Sequence, residues 1–157
     1  MPHPFLLPLH RLVLALVSAP VLASSAWAGQ FFERDGLAIG GHDVVAYFSG
    51  AAPVKGVAGF KAEFQGSTFL FASQANRDAF VTDPAKYAPQ YGGFCAFGLA
   101  GGYKAAIDPA AFSVIDGKLY LNYNRAVQKR WGADVPGFIA KADQNWPSVM
   151  AQTKVHN

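Results

Sequence analysis

Two stretches of the chain alternate apolar and polar residues with a period of two and then change to a helical spacing. In the first, Phe60, Ala62 and Phe64 alternate, Gln65-Gly66 interrupts, and Phe69 and Phe71 resume. Alternate strand side chains share one sheet face, so the pattern predicts a β-hairpin. In the second, Ser113 to Asn122 does the same around Asp116-Gly117, a strong hairpin turn. Each hairpin leads into a helix start, capped by Ser73 or Asn124, whose side-chain oxygens accept backbone N–H groups left open in the first turn. Phe80 and Trp131 follow seven residues later on one helix face, then Asp83-Pro84 and Asp134 with Pro136. An offset of 51 lays Phe60–Tyr87 over Ala111–Phe138, with Gly66/Gly117, Ala75/Ala126 and Asp83/Asp134 identical. The predicted fold class is α+β: two pseudo-repeated β-hairpin–helix (ββα) units, about 60–87 and 111–138, packed around one aromatic core. Neither half buries enough surface to be stable alone. A C-terminal helix runs from Val135 to about Lys154, with Phe138, Ala142 and Trp146 on one face. Pro147 is expected to bend or restart it, and His156 falls in a frayed tail.

The N-terminus has a different pattern. His10 and Arg11 precede an apolar run from Leu12 to Ala23, and Ala26-Trp27-Ala28 supplies the small residues a signal peptidase requires. Residues 1–28 therefore read as a secretory signal, and 29–157 as a single domain exported to a periplasm. Pro20 and the shortness of the apolar run argue against a membrane anchor, which needs about 20 apolar residues. Stable membrane insertion is not expected once the signal is removed.

Composition narrows the chemistry. The 157 residues are 52% hydrophobic and 15% charged, a balance that opposes long disorder. A net charge of +3 comes from scattered Lys and Arg with no basic stripe, so no nucleic-acid partner is expected. One cysteine excludes an intramolecular disulfide and a CxxC zinc site. The most singular stretch is Tyr91 to Gly102, with five glycines around Cys95. It lacks both the Lys-Ser/Thr ending of a phosphate loop and the GxGxxG order of a dinucleotide turn. Cys95 reads either as a small buried hydrophobe or as a thiolate that binds a soft metal or attacks as a nucleophile. His42 and Lys104 are the candidate residues to lower its pKa. His42 and Asp43, after Gly40-Gly41, read as a metal-facing imidazole with a steering carboxylate, or as an exposed His beside a cap for Val44–Phe48.

Phe64 to Ser73 with Asn76–Phe80, Asp83-Pro84 and Lys86-Tyr87 resembles the YHS domain, a module related to metal-binding TRASH domains and found in heavy-metal ATPases and some oxygenase subunits. Gly41–Phe48, Tyr91–Ala96 and Asp116–Asn124 resemble, more narrowly, exported bacterial YHS-domain proteins. Relatives with several cysteines imply metal capture, but Phe71 to Asn76 carries no sulfur here. A structural zinc needs four Cys/His ligands, more than one mature chain offers. The resemblance and the donor types together imply a binding module for a soft transition metal, copper favoured, with Cys95, His42 and Asp43 as the metal site. Sequestration or handover is then the expected role, without catalysis and without an organic cofactor. Two alternatives stand beside it. One is a metal-free cleft between the units, lined by Tyr47, Tyr91, Phe94 and Tyr123, for a small ligand or partner. The other is a thiol enzyme with Cys95 as nucleophile and His42-Asp43 as its base pair.

Overall fold

A computed structural model describes residues 30–157; the expected secretory signal, residues 1–28, lies outside the described residues. Strands β1 (Glu33–Arg34) and β2 (Leu37–Ala38) form a small hairpin about Asp35-Gly36, and a 3-10 turn follows at Ile39–Gly41. A second turn at Ala46–Phe48 leads to β3 (Val57–Phe64) and β4 (Ser67–Phe71), then α1 (Gln74–Thr82) and α2 (Pro84–Tyr87). A glycine-rich turn at Gln90–Gly93 and α3 (Ala96–Ala100) connect to β5 (Lys104–Ala105). The chain continues through β6 (Asp108–Ile115), β7 (Lys118–Asn122), α4 (Arg125–Trp131), α5 (Val135–Val149) and β8 (Val155–His156). The fold is α+β, as the alternation patterns predict. Its strands pair only in twos: β1 with β2, β3 with β4, β6 with β7, and β5 with β8.

The two long hairpins have the same internal geometry. β3 and β4 pair from Phe64 with Ser67 back to Lys61 with Leu70, then skip to Val57 with Phe71. β6 and β7 pair from Ile115 with Lys118 to Phe112 with Leu121, then skip to Asp108 with Asn122. The caps form where the sequence places them. Ser73 accepts from Asn76 N–H and Asn124 from Val127 N–H, while Asp83 and Asp134 accept from Lys86 and Gly137 N–H.

Burial of the aromatic residues holds these pieces together. Phe80 lies 4.9 Å from Phe69 and 5.1 Å from Phe71, centroid to centroid. Trp131 lies 5.3 Å from Tyr120. Both rings are fully enclosed and belong to one continuous core with Ile39, Val44, Leu99, Leu119 and Leu121. Such rings each remove roughly 150–250 Å² from water, which is why short two-stranded sheets suffice here.

Two expectations need correction at the C-terminus. α5 runs through Pro147 without restarting and ends at Val149, short of Lys154. The tail does not fray: Val155 and His156 pair in parallel with Lys104 and Ala105, and Ala106 N–H donates to the His156 carbonyl at 2.8 Å. Backbone groups of β5 left open by the rest of the fold give the tail a place to dock that local sequence does not reveal. Among the described residues no helix is long and apolar enough to cross a membrane.

Candidate functional site

Backbone geometry at Tyr91–Gly93 places Cys95. All three residues have positive φ, at 55°, 62° and 78°. A Cβ on Gly92 would collide with the Gln30 carbonyl, and one on Gly93 with the Ile39 side chain, so glycine is required at both positions. The turn delivers Cys95 as the residue that caps α3, its N–H donating to the Ala105 carbonyl at 3.1 Å.

The sulfur is almost fully enclosed, at 2% residue exposure. Tyr123 N–H donates to Sγ at 3.3 Å, and the first-turn N–H groups of Phe97 and Gly98 lie on the same side of the N-cap residue. The thiol lies 3.7 Å from Oδ1 of Asn122, which also accepts Phe97 N–H at 3.2 Å. Burial pushes the Cys95 pKa up, while the Gly98, Tyr123 and Phe97 N–H groups pull against that rise. Asn122 is wholly buried, and its Nδ2 has no hydrogen-bond partner.

Cys95 lines a cavity of about 300 Å³ with Tyr103, Tyr123, Val127, Arg130 and His156. The His156 ring packs 5.0 Å from the Tyr103 ring, and the Arg130 guanidinium sits 4.7 Å over Phe97. Pairing of β8 with β5 brings the imidazole here. Sequence reasoning assigned His156 to a loose tail and missed Arg130, Tyr103 and Asn122. Polar spacing on α4 was the only local signal for Arg130, and it is indistinguishable from that of an exposed helix face.

His42 and Asp43 are occupied elsewhere. The His42 ring nitrogen Nδ1 lies 3.0 Å from the Ile39 carbonyl, and the residue bridges to Lys55. Burial first, then the positive charges of Lys55 and Arg34, lower the His42 pKa against the opposing Ile39 bond and Asp108. Asp43 is fully buried. Its Oδ1 accepts from Val45 and Ala46 N–H at 2.9 and 3.2 Å, and its Oδ2 from Ala72 N–H and Asn76 Nδ2 at 2.8 and 2.7 Å. Four donors saturate this carboxylate, so the capping role holds. Neither residue lines the cavity of Cys95, and the carboxylate does not orient the His42 ring as a catalytic pair requires. The imidazole that shares the cavity with the thiol is His156.

The four aromatic residues expected to line one cleft are dispersed. Tyr47 is buried, its hydroxyl donating to the Pro109 carbonyl at 3.0 Å and its ring 4.7 Å from Phe112. Tyr91 donates to Asp143 Oδ1 at 2.7 Å, and its ring packs on Tyr120 and Trp146. Burial, then the Asp143 carboxylate, raise the Tyr91 pKa. Phe94 lies under the Lys104 ammonium at 4.7 Å and faces a separate cavity of about 440 Å³. Only Tyr123 lines the cavity of Cys95. Among the described residues no three His, Cys, Asp or Glu side chains cluster to hold a metal ion.

The family profile of the YHS domain matches residues 45–91. The chain is a YHS domain-containing protein. No curated protein and no solved structure matches it. The matched YHS segment spans the first long hairpin with α1 and α2 and ends at Tyr91. Cys95 and its cavity follow immediately. A YHS domain is consistent with a metal-binding module.

Proposed function

We propose that this YHS protein is an exported, periplasmic binding module that captures a soft metal ion, with Cu(I) favoured, at Cys95 and with His156 as the imidazole partner. The observation that carries the reading is the cavity lined by both Cys95 and His156. One thiolate and one imidazole suit Cu(I), which accepts few and soft ligands, whereas structural zinc demands four. Burial holds the free Cys95 as a thiol, and a bound soft cation would displace the thiol proton, with the Tyr123 N–H supporting the thiolate that results. His42 and Asp43 take no part in this reading. Sequestration or handover fits a site formed by one short tail strand and one cap residue. Export rests on the apolar run and small-residue pattern of residues 12–28.

The test is anaerobic competition for Cu(I) against a chromophoric chelator. Wild type and His42→Ala are expected to take up one equivalent with equal affinity. Cys95→Ser should lose it, and His156→Ala should bind at least about tenfold more weakly, a difference of roughly 1.4 kcal/mol. Copper retention by Cys95→Ser overturns the site. Aromatic walls from Phe97, Tyr103 and Tyr123 favour a second reading, a small apolar ligand in the same cavity. That reading stands if wild type takes up no copper.

A further inference from the structure

Asp43 and Cys95 hold the same place in two similar surroundings. Ile39, Gly40 and Gly41 have φ of 53°, 58° and 73°, matching Tyr91, Gly92 and Gly93. His42 N–H bonds to the Ile39 carbonyl as Phe94 N–H does to that of Tyr91, at 3.3 and 3.2 Å. Asp43 N–H donates to Val54 and Cys95 N–H to Ala105. Asp43 accepts N–H groups two and three residues on, and Cys95 takes the corresponding N-cap place at the start of α3, where the Phe97 and Gly98 N–H groups oppose the rise of its pKa. Asp43 accepts Ala72 N–H just beyond β4; Cys95 accepts Tyr123 N–H just beyond β7. The flanking helices bond back alike, Arg77 Nε to the Lys61 carbonyl and Gln128 Nε2 to the Phe112 carbonyl.

The surroundings differ in two ways. Asn76 of α1 gives Asp43 a fourth donor, but the residue at that place in α4 is Val127, which lines the cavity. In addition, Asn122 is completely buried with its Oδ1 facing the thiol, yet its Nδ2 has no hydrogen-bond partner among the described residues. That nitrogen is attached to the same carbon as Oδ1. A buried donor without an acceptor has lost its bond to water and gained none in return. The site is therefore a carboxylate-shaped hole that holds a neutral sulfur, with an open volume and an unused donor beside it.

We propose that Cys95 is an oxidation site whose stable product is a sulfinate held as the Asp43 carboxylate is held. A cysteine sulfinate places two oxygens and one negative charge where an aspartate has them. The reactant is a hydroperoxide. The sulfur attacks the terminal peroxide oxygen, the S–O bond forms as the O–O bond breaks, and the leaving oxygen departs as water or alcohol with the thiol proton. The sulfur loses two electrons to the peroxide and becomes a sulfenic acid. The chain has no second cysteine to resolve that acid as an internal disulfide. A second peroxide therefore repeats the step to the sulfinate. The product keeps the Tyr123 N–H as an anion donor, places its charge at the N-terminus of α3 and supplies an acceptor for Asn122. The Arg130 guanidinium lines the same cavity. This proposal does not rest on the copper reading, but it implies that peroxide abolishes thiolate metal binding.

The experiment exposes metal-free protein to increasing hydrogen peroxide and maps the peptides holding Cys95 and Met150 by mass. Melting is measured in a Met150→Leu background, so that methionine oxidation does not enter. Cys95 is expected to gain two oxygen atoms as its end state, with a melting temperature equal to or above that of the reduced protein. Cys95→Asp is expected to fold and to melt at or above Cys95→Ser. A Cys95 that stays a thiol at doses converting Met150 to its sulfoxide overturns the proposal. So does a sulfinate form that melts below the reduced protein, or a Cys95→Asp chain that melts below Cys95→Ser. Because no metal is present, these outcomes are separate from the copper competition.

Discussion

Replacing Asp43 by Asn tests the claim that this carboxylate is an internal clamp and not a ligand. The substitution preserves shape and leaves one oxygen to serve two donors. The amide nitrogen then faces either Ala72 N–H and Asn76 Nδ2, now 2.8 and 2.7 Å from Oδ2, or the Val45 and Ala46 N–H pair. Either orientation forfeits two bonds to a charged acceptor, each worth about 1.5–3 kcal/mol. The expected destabilisation is therefore about 3–6 kcal/mol, a large share of the roughly 5–15 kcal/mol that domains of this kind possess. Solvent does not rescue the buried Val45 and Ala46 N–H groups, whereas Ala72 is exposed and Asn76 half-buried, so the smaller loss applies if the amide nitrogen turns toward that pair. Urea unfolding followed by the fluorescence of Trp131 and Trp146 measures the loss, with an unchanged slope showing that both states keep their compactness. Asn76→Ala in the same series should cost less, and the double variant should be less than additive, since the two side chains share a bond. A loss under about 1 kcal/mol for Asp43→Asn would refute the clamp. A metal ligand would behave in the opposite way, with metal uptake changed and the metal-free protein scarcely affected.

Three further outcomes follow from the same geometry. Phe80→Ala and Trp131→Ala each empty an enclosed aromatic position and should each cost about 3–5 kcal/mol in urea unfolding; a cost near zero for either would show that its hairpin does not depend on it. Stability should fall on acidification through His42, whose pKa is lowered in the folded chain. The unfolded chain then binds its proton first, so this contribution is complete above about pH 6.5 and is lost as pH drops through the lower folded value. His42→Gln should flatten that acid slope of the urea midpoint, and an unaltered slope would refute the assignment. Deleting residues 153–157 removes β8 and one wall of the cavity. Iodoacetamide should then alkylate Cys95 about tenfold faster, equivalent to roughly 1.4 kcal/mol of lost closure, and an equal rate would show that the tail does not cover the thiol.

Local chemistry was legible in the sequence wherever a residue acts on its near neighbours. Hairpin alternation, the Gln65-Gly66 and Asp116-Gly117 turns, and the caps at Ser73, Asn124, Asp83 and Asp134 are all short-range interactions, and all formed as the pattern requires. Phe80 and Trp131 were readable as core because a large ring on an otherwise polar helix face has one favourable destination. The glycine-rich turn was readable as a constrained backbone, although its reason, the close approach of Gln30 to Gly92, was not.

The site belonged to long-range packing. Proximity of His42 to Asp43 in sequence suggested one metal-facing unit, yet backbone donors of two separate segments and the Asn76 side chain claimed the carboxylate, and the imidazole turned to a carbonyl. Tyr47, Tyr91, Phe94 and Tyr123 looked like one cleft because aromatics near glycine suggest a wall, and packing sent them to different places. His156 looked dispensable because nothing near it in sequence anchors it. Sequence by itself determined which residues turn, cap and bury, because those free energies are set within a few positions. Tertiary structure alone decided that the tail pairs with β5 and brings an imidazole to the cavity of the only thiol, because strand pairing across half the chain depends on which backbone groups remain unsatisfied after everything else has packed.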